Sequence, residues 1–195
     1  MGYNKQILNQ RIGRNQNMFK KAVAALLALC LLFSMSACSK KRDVSALTCR
    51  DVVDAFRKAY GASYEPNVAI PDELLGNEFD LNISEMDDYY GEMPQIGLRC
   101  DRIVVVKAAK GDADKVVERL EAAKKEFLKN TMEYSNTMKV DSALILTEGD
   151  FVCFFMLGDD YGGENIGEGS AEETDFYKQQ QQIGEQCWHD VFYEK

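Results

Sequence analysis

The residue with the clearest chemistry is Cys38, because of what precedes it in the chain. The basic pair Lys20-Lys21 leads into an apolar run from Ala22 to Phe33, and Ser36-Ala37 stands directly before the cysteine. This order is typical of a secretory signal peptide with small residues before its cleavage site. A cysteine just after the cut can take a diacylglyceryl group on its thiol, and its freed amine becomes the new N-terminus. The pattern predicts a palmitate-type lipid modification of Cys38.

The apolar run also bears on where the protein resides. It has 12 residues, fewer than the ~20 that a membrane-spanning helix needs. We therefore expect residues 1–37 to be removed as a signal peptide, with Met18 as an alternative translation start. An ordinary signal peptide, with Cys38 incidental, is the other interpretation. Lipidation predicts a location on the outer face of the cell membrane, with membrane lipid as a partner through Cys38.

The remaining cysteines of the processed chain are Cys49, Cys100, Cys153 and Cys187. An even number of cysteines in an exported domain allows disulfides, and four cysteines allow three pairings. Cys153 lies in the apolar run Phe151 to Met156, where a buried thiol is equally well accommodated. Cys49, Cys100 and Cys187 are therefore the candidates for a disulfide, and the sequence leaves open both its formation and its pairing.

Catalytic chemistry has little support in the sequence. His189 is the only histidine, whereas histidine-based triads and metal sites need further partners. Cys187 stands two residues before it, and residues two apart point to different sides of a helix. We predict no catalytic residue, no metal ligand and no cofactor.

The charge balance excludes one class of partner. Five of the 23 basic residues and none of the 32 acidic residues lie in positions 1–37, so the processed chain has a net charge near −14. Such a body repels phosphates, which excludes nucleic acid as a partner. The basic run Lys40-Lys41-Arg42, directly after the predicted anchor, is the local exception and can meet lipid head groups.

Acidic and aromatic residues occur together in two parts of the chain. Eight acidic residues and no basic ones lie between Pro66 and Leu98, namely Asp72, Glu73, Glu78, Asp80, Glu85, Asp87, Asp88 and Glu92. Aromatic residues lie in or beside this segment and the later acidic one, namely Tyr89, Tyr90, Tyr161, Phe176, Tyr177 and Trp188. Exposed aromatics can anchor a protein or stack on sugars. They favour a non-enzymatic binding or accessory module that contacts an envelope protein or a cell-wall polymer. The alternative is a carboxylate-dependent hydrolase of cell-wall glycans, because such enzymes leave no local motif.

The elements that position these residues follow from hydrophobic periodicity. An apolar stripe predicts a helix from Cys49 to Tyr60, and a second stripe predicts a helix after Gly111-Asp112. Apolar runs at 103–106, 143–146 and 151–157 predict strands, the last two joined as a hairpin through Glu148-Gly149-Asp150. The result is an α/β or α+β fold with a small three-stranded β-α-β-β sheet flanked by helices.

Composition divides the processed chain into three parts. Residues 38–44 form a lipidated tether, and residues 45–157 form a single globular domain. Residues 158–195 read as an acidic linker with a weak C-terminal helix, because 159–175 holds seven acidic residues, four glycines and no basic residue. We therefore expect an acidic, flexible C-terminal tail.

One stretch also resembles a known family. Asp101 to Lys107 followed by Gly111 to Val116 is similar to an uncharacterised family of small lipoproteins from Gram-positive anaerobic bacteria, catalogued as a domain of unknown function. In that family a lipobox, an acidic middle, this strand-helix junction and a Glu/Asp-Gly-Asp hairpin follow in order. Here the lipobox would end at Cys38, the acidic middle would be Asp72 to Glu92, and the hairpin would be Glu148-Gly149-Asp150. The likeness covers about residues 45 to 157 and implies fold and location only, with no catalytic residues.

Overall fold

The fold is a five-stranded antiparallel sheet with helices on both faces. The structure, a computed structural model, describes residues 40–95, 99–129, 137–164 and 169–194. The chain divides into two units, Met1–Lys40 and Lys41–Lys195. Only Lys40 of the first unit is described, so the architecture given below is that of the second unit.

The described part of this unit contains five helices and five strands. The helices are α1 (Cys49–Tyr60), α2 (Asp72–Phe79), α3 (Ala113–Lys129), α4 (Thr137–Asp141) and α5 (Ala171–Phe192), with short 3-10 turns at Gly61–Ser63 and Ile83–Glu85. The strands are β1 (Val68–Ala69), β2 (Met86–Met93), β3 (Arg102–Ala108), β4 (Leu144–Glu148) and β5 (Phe151–Met156). Among the described residues, no helix is both long and apolar enough to span a membrane.

The predicted mixed α/β character is confirmed, but the predicted sheet of three strands has two strands fewer than the observed sheet. The strands lie in the order β1-β2-β3-β5-β4, and every neighbouring pair is antiparallel. Strands β3 and β4 run in the same direction, as a β-α-β unit requires, but β5 lies between them. The unpredicted strand β2 occupies the later part of the acidic segment. Its Tyr89-Tyr90 pair favours a strand, a signal that the surrounding acidic residues obscure.

The predicted helix and hairpin patterns are confirmed. The stripe of α1, from Cys49 to Tyr60, is buried on one side, and Gly61 follows at a positive φ of 56°. In α3 the buried residues are Val116, Leu120, Ala123 and Phe127. Gly149, at a φ of 61°, lies in the two-residue turn between β4 and β5, where a positive φ favours glycine.

Two apolar layers cover the sheet because β3 and β5 are buried on both faces. Val104 and Phe154 point into the layer formed with α2 and α3. Ile103 and Phe155 point into the other layer, which is formed with α1 and α5. Each face of the sheet therefore carries its own core, as continuous apolar strands predict.

The flexible C-terminal tail is not confirmed. Residues 171–192 form α5, whose buried residues include Tyr177, Gly184 and Trp188. The hydroxyl of Tyr60 donates to the backbone oxygen of Gln180 at 2.8 Å. The composition of this segment did not indicate a packed helix, because few large apolar residues lie on the buried side of α5. The helix is nevertheless buried on that side, since it covers the second face of the sheet.

Candidate functional site

The predicted lipidation site, Cys38, lies outside the described residues, as does the signal peptide at 1–37. Those assignments therefore stay predictions. The structure does describe how the chain enters the fold a few residues later, at Lys41 and Arg42. It also places the remaining cysteines, His189 and most of the acidic and aromatic residues.

Lys41 and Arg42 are held against the end of α5. Lys41 pairs with Tyr193 as an isolated antiparallel bridge. The backbone N–H of Arg42 donates to the oxygen of Phe192 at 2.8 Å, and its Nε donates to the oxygen of Tyr193 at 3.1 Å. We call Lys41, Arg42, Glu148, Phe192 and Tyr193 the N-terminal clamp. Part of the predicted tether is thus bound to the folded body.

Glu148 joins the two sides of the clamp. It stands at the end of β4, directly before the hairpin turn, and accepts from Lys41 Nζ at 2.6 Å and from the Tyr193 hydroxyl at 2.6 Å. Burial by itself would raise the pKa of Glu148, but the hydrogen bonds from Lys41 and Tyr193 outweigh it, so the pKa is lowered. Glu148 is therefore ionised at neutral pH and holds both partners.

A surface pocket of about 590 Å³ adjoins the clamp, between α1 and α5. Its lining includes the basic residues Arg42 and Lys58, with Asp190 as the single carboxylate and Cys187 beside it. A second pocket lies between α4 and α5 and also contains one carboxylate, Asp141. Neither pocket has the pair of carboxylates that a glycoside hydrolase uses.

Cys49, Cys100, Cys153 and Cys187 are free and buried. Cys49, Cys153 and Cys187 belong to the layer under α1 and α5, whereas Cys100 belongs to the opposite layer. The sheet separates Cys100 from the other three cysteines. Of the three candidates for a disulfide, Cys49 and Cys187 therefore lie on the same face of the sheet. Burial raises the pKa of Cys100 and of Cys187 to about 11. Such thiols are poor nucleophiles at neutral pH.

Cys187 and His189 diverge on α5, as their spacing predicts. Cys187 is buried in the core, whereas 46% of the His189 side chain is exposed. The His189 ring stacks on Tyr193 with centroids 4.9 Å apart. The two residues are therefore not arranged as a nucleophile and its base. Within the described ranges, no three His, Cys, Asp or Glu side chains are grouped so that they could hold a metal.

The carboxylates of the acidic segment are largely engaged within the domain. Glu92 is 4% exposed, pairs with Arg57 and accepts from the hydroxyls of Tyr64 and Tyr90, each at 2.8 Å. Four more have partners: Glu78 with Arg102, Glu85 with Arg119, Asp88 with the Cys49 backbone N–H, and Asp72 with the Tyr89 hydroxyl. Five of the eight carboxylates that the sequence offered as a contact surface thus bind groups of the same chain.

The aromatic residues are divided between core and surface. Tyr177 is 2% exposed and Trp188 is 7% exposed, so both belong to the core. Tyr161 and Phe176 are half-buried and pack on each other with ring centroids 5.7 Å apart. Tyr90 is half-buried, and Cζ of the Arg50 guanidinium lies 4.0 Å from the centroid of the Tyr90 ring.

Sequence reasoning missed a buried charged cluster. Lys139 and Asp101 are each 1% exposed, and Lys139 Nζ lies 2.8 Å from Asp101 Oδ1. Lys139 also donates to the Gly158 oxygen at 2.6 Å and to Asp160 at 3.1 Å. Burial by itself would lower the pKa of Lys139, but Asp101 and Asp160 outweigh it and the pKa is raised. No local pattern marks a lysine in a short helix as buried, so the sequence carried no signal.

Comparison with known proteins places the chain in a family. No curated protein and no solved structure matches it. Residues 60–157 match the family model described as Domain of unknown function (DUF4358). The match includes Glu92, Asp101, Lys139 and Glu148, whereas the rest of the clamp and all of α5 lie outside it. Because the matched residues make up half of the sequence, the chain belongs to the DUF4358 family.

Proposed function

We propose that this protein is an exported lipoprotein, attached to the outer face of the cell membrane through a diacylglyceryl group on Cys38. Its folded part is a non-enzymatic binding or accessory module. The observation that carries the anchoring proposal is the order of residues from Lys20 to Cys38, with a basic start, a short apolar run and small residues before the cysteine.

The clamp supports this proposal because it provides a fixed attachment point. Lys41 is only three residues after Cys38, and the chain is bound to the body from Lys41 onward. A fold that binds the residues following its anchor remains beside the membrane instead of extending from it on a long linker.

The chemistry of the body supports a binding role over catalysis. The buried carboxylates Glu92 and Asp101 are each ion-paired, to Arg57 and Lys139. The described cysteines are buried thiols, and those of Cys100 and Cys187 have a raised pKa. We therefore favour an envelope protein or a cell-wall polymer as the partner, bound by a body of strong net negative charge.

The anchoring proposal is tested by expressing the full chain in a bacterium that processes lipoproteins. We expect the wild-type protein in the membrane fraction, with a diacylated N-terminal cysteine by mass spectrometry. The Cys38→Ser variant should lose that mass and the membrane association. Cys30→Ser, which changes the cysteine inside the apolar run, is the matched control and should behave as wild type. A soluble product with Cys38 unmodified would overturn the proposal.

The binding role is tested by crosslinking in intact membranes followed by affinity recovery of the lipidated protein. We expect a specific crosslinked envelope component that is absent from the Cys38→Ser sample. Recovery of no partner, together with turnover of a cell-wall glycan that Asp or Glu substitutions abolish, would instead establish the hydrolase.

A further inference from the structure

We infer that the N-terminal clamp fixes the orientation of the domain on the membrane, so that the β4–β5 turn and the C-terminal end of α5 face the lipid head groups. The inference rests on the proposed lipidation of Cys38 and names the surface that meets the membrane.

The first step concerns the reach of the chain. Lys41 is the third residue after Cys38, and a fully extended chain covers at most about 3.6 Å per residue step, or about 11 Å over three steps. Lys41 is bound to Tyr193 and Glu148, and Arg42 is bound to Phe192. The lipidated cysteine is therefore kept within about 11 Å of a defined point on the body.

The second step concerns what lies around that point. Glu148 is the last residue of β4, so the clamp adjoins the turn at Gly149-Asp150. Lys107 of β3 pairs with Phe151, and the Ala108 backbone N–H donates to the Asp150 oxygen at 2.8 Å. The turn that follows β3, which contains the exposed residue Lys110, therefore lies at the same end of the sheet. We call this the proximal end.

The third step identifies the opposite end. Helix α5 has 22 residues and ends at Phe192, within the clamp. At a rise of about 1.5 Å per residue, its first residue lies about 30 Å away along the axis. The Tyr177 hydroxyl contacts the Tyr161 backbone, and Gln180 contacts Asp159, so the start of α5 lies near the segment that leaves β5. Ala171 and this segment form the distal end.

Tether length, and not charge, produces the orientation. The proximal end carries the basic residues Arg42, Lys107 and Lys110 together with the acidic residues Asp43 and Asp150. The charge of Lys41 is already paired with Glu148 at 2.6 Å. Since the tether acts whatever the charge of the lipid, the proximal end is expected to face uncharged membranes, and anionic lipid can only add to this preference through Arg42, Lys107 and Lys110.

The inference is tested with the processed, lipidated protein in phosphatidylcholine vesicles that contain a head-group spin-labelled lipid. A fluorophore is attached to a cysteine introduced at Thr147 or Lys110 (proximal) or at Ala171 (distal). All three residues are exposed, whereas the native body cysteines are buried. We expect quenching at Thr147→Cys and Lys110→Cys to be at least threefold stronger than at Ala171→Cys. Adding 20% phosphatidylglycerol should not lower this ratio.

The clamp itself is tested in the same vesicles. Glu148→Gln should lower the proximal-to-distal quenching ratio without abolishing it, because Arg42 stays bound to Phe192. Glu185→Gln, which changes an exposed carboxylate of α5, should leave the ratio unchanged. Equal quenching at the three positions of a vesicle-bound, lipidated protein would overturn the inference while sparing the proposed function. Failure to find the lipid mass and vesicle binding would overturn both.

Discussion

Lys41 Nζ lies 2.6 Å from Glu148 Oε1, although 107 residues separate the two in sequence. The contact closes a loop that contains every described element from α1 to β4, and it fastens the segment at Lys41 to the hairpin turn of the sheet. Because Tyr193 also donates to Glu148 at 2.6 Å, one carboxylate joins the first and last described segments of the body.

Substituting Glu148 should loosen the segment at Lys41 and Arg42 while leaving the core folded. Glu148→Gln removes the charge that attracts Lys41, while Arg42 keeps its backbone bond to Phe192. We expect amide hydrogen exchange at Arg42 to accelerate by about tenfold, a loss of about 1.4 kcal/mol of local stability. Glu185→Gln is the control, and exchange in β3 should be unchanged in both variants. An unchanged rate at Arg42 would mean that Glu148 does not hold the segment.

Acid should open the same clamp. The pKa of Glu148 is lowered in the folded protein, so its stabilising effect is present above the unfolded value of about 4.3 and is lost as the pH falls through the lower folded value. The pKa of Lys41 is raised, so the pair also weakens above about pH 10. Arg42 exchange, corrected for the intrinsic pH dependence, should be constant from pH 6 to 9 and rise below about pH 4. In Glu148→Gln the acid step should disappear.

Elements with a helical apolar stripe or a continuous apolar run could be predicted from the sequence. The stripe of α1 has the period of a helix buried on one side, and the runs that form β3 and β5 are apolar throughout because both of their faces are buried. The hairpin was also predictable because Gly149 supplies the positive φ of its turn. These elements form the centre of the sheet and most of the core.

The rest depends on contacts that no local pattern records. Strand β2 is half-exposed and acidic, so its pairing with β3 is decided by the partner strand and not by its own periodicity. Lys139 reads as a surface residue until Asp101 is placed beside it. The clamp joins Lys41 to Tyr193, which are far apart in the sequence, and such long-range pairs form only in the completed fold.

The docking of α5 can be tested at Gly184. A Cβ there would overlap the Phe155 ring and lie 3.0 Å from the Tyr60 hydroxyl. Gly184→Ala should therefore destabilise the fold by about 1–3 kcal/mol, since overpacking forces neighbours to shift. In Gly76→Ala the nearest atom is 3.8 Å away, and this helical site should be neutral or gain up to about 1 kcal/mol. Equal urea midpoints for the two variants would show that α5 does not pack on the sheet.

Thiol labelling tests the placement of the cysteines. All four described cysteines are free and buried, so the folded protein should label slowly, with Cys187, which lines a pocket, reacting first. After denaturation without reductant, Cys49, Cys100, Cys153 and Cys187 should each take one label, as peptide mass spectrometry can establish. Failure of Cys49 and Cys187 alone to label would reveal a bridge between α1 and α5, and failure of Cys153 would contradict its position in β5.

Removing the buried ammonium of Lys139 should be the most damaging of these substitutions. Lys139→Met leaves Asp101 buried without its cation, and breaking one side of a buried ion pair costs about 3–5 kcal/mol. The double variant Lys139→Met with Asp101→Leu should recover much of that loss, because no uncompensated charge remains. Lys178→Met is the matched control: its side chain is 63% exposed and pairs only at the surface with Asp175, so its effect should stay within about 0.5 kcal/mol. Urea unfolding followed by circular dichroism measures all three. If Lys139→Met alone were as stable as Lys178→Met, the Lys139–Asp101 pair would not hold α4 against the start of β3.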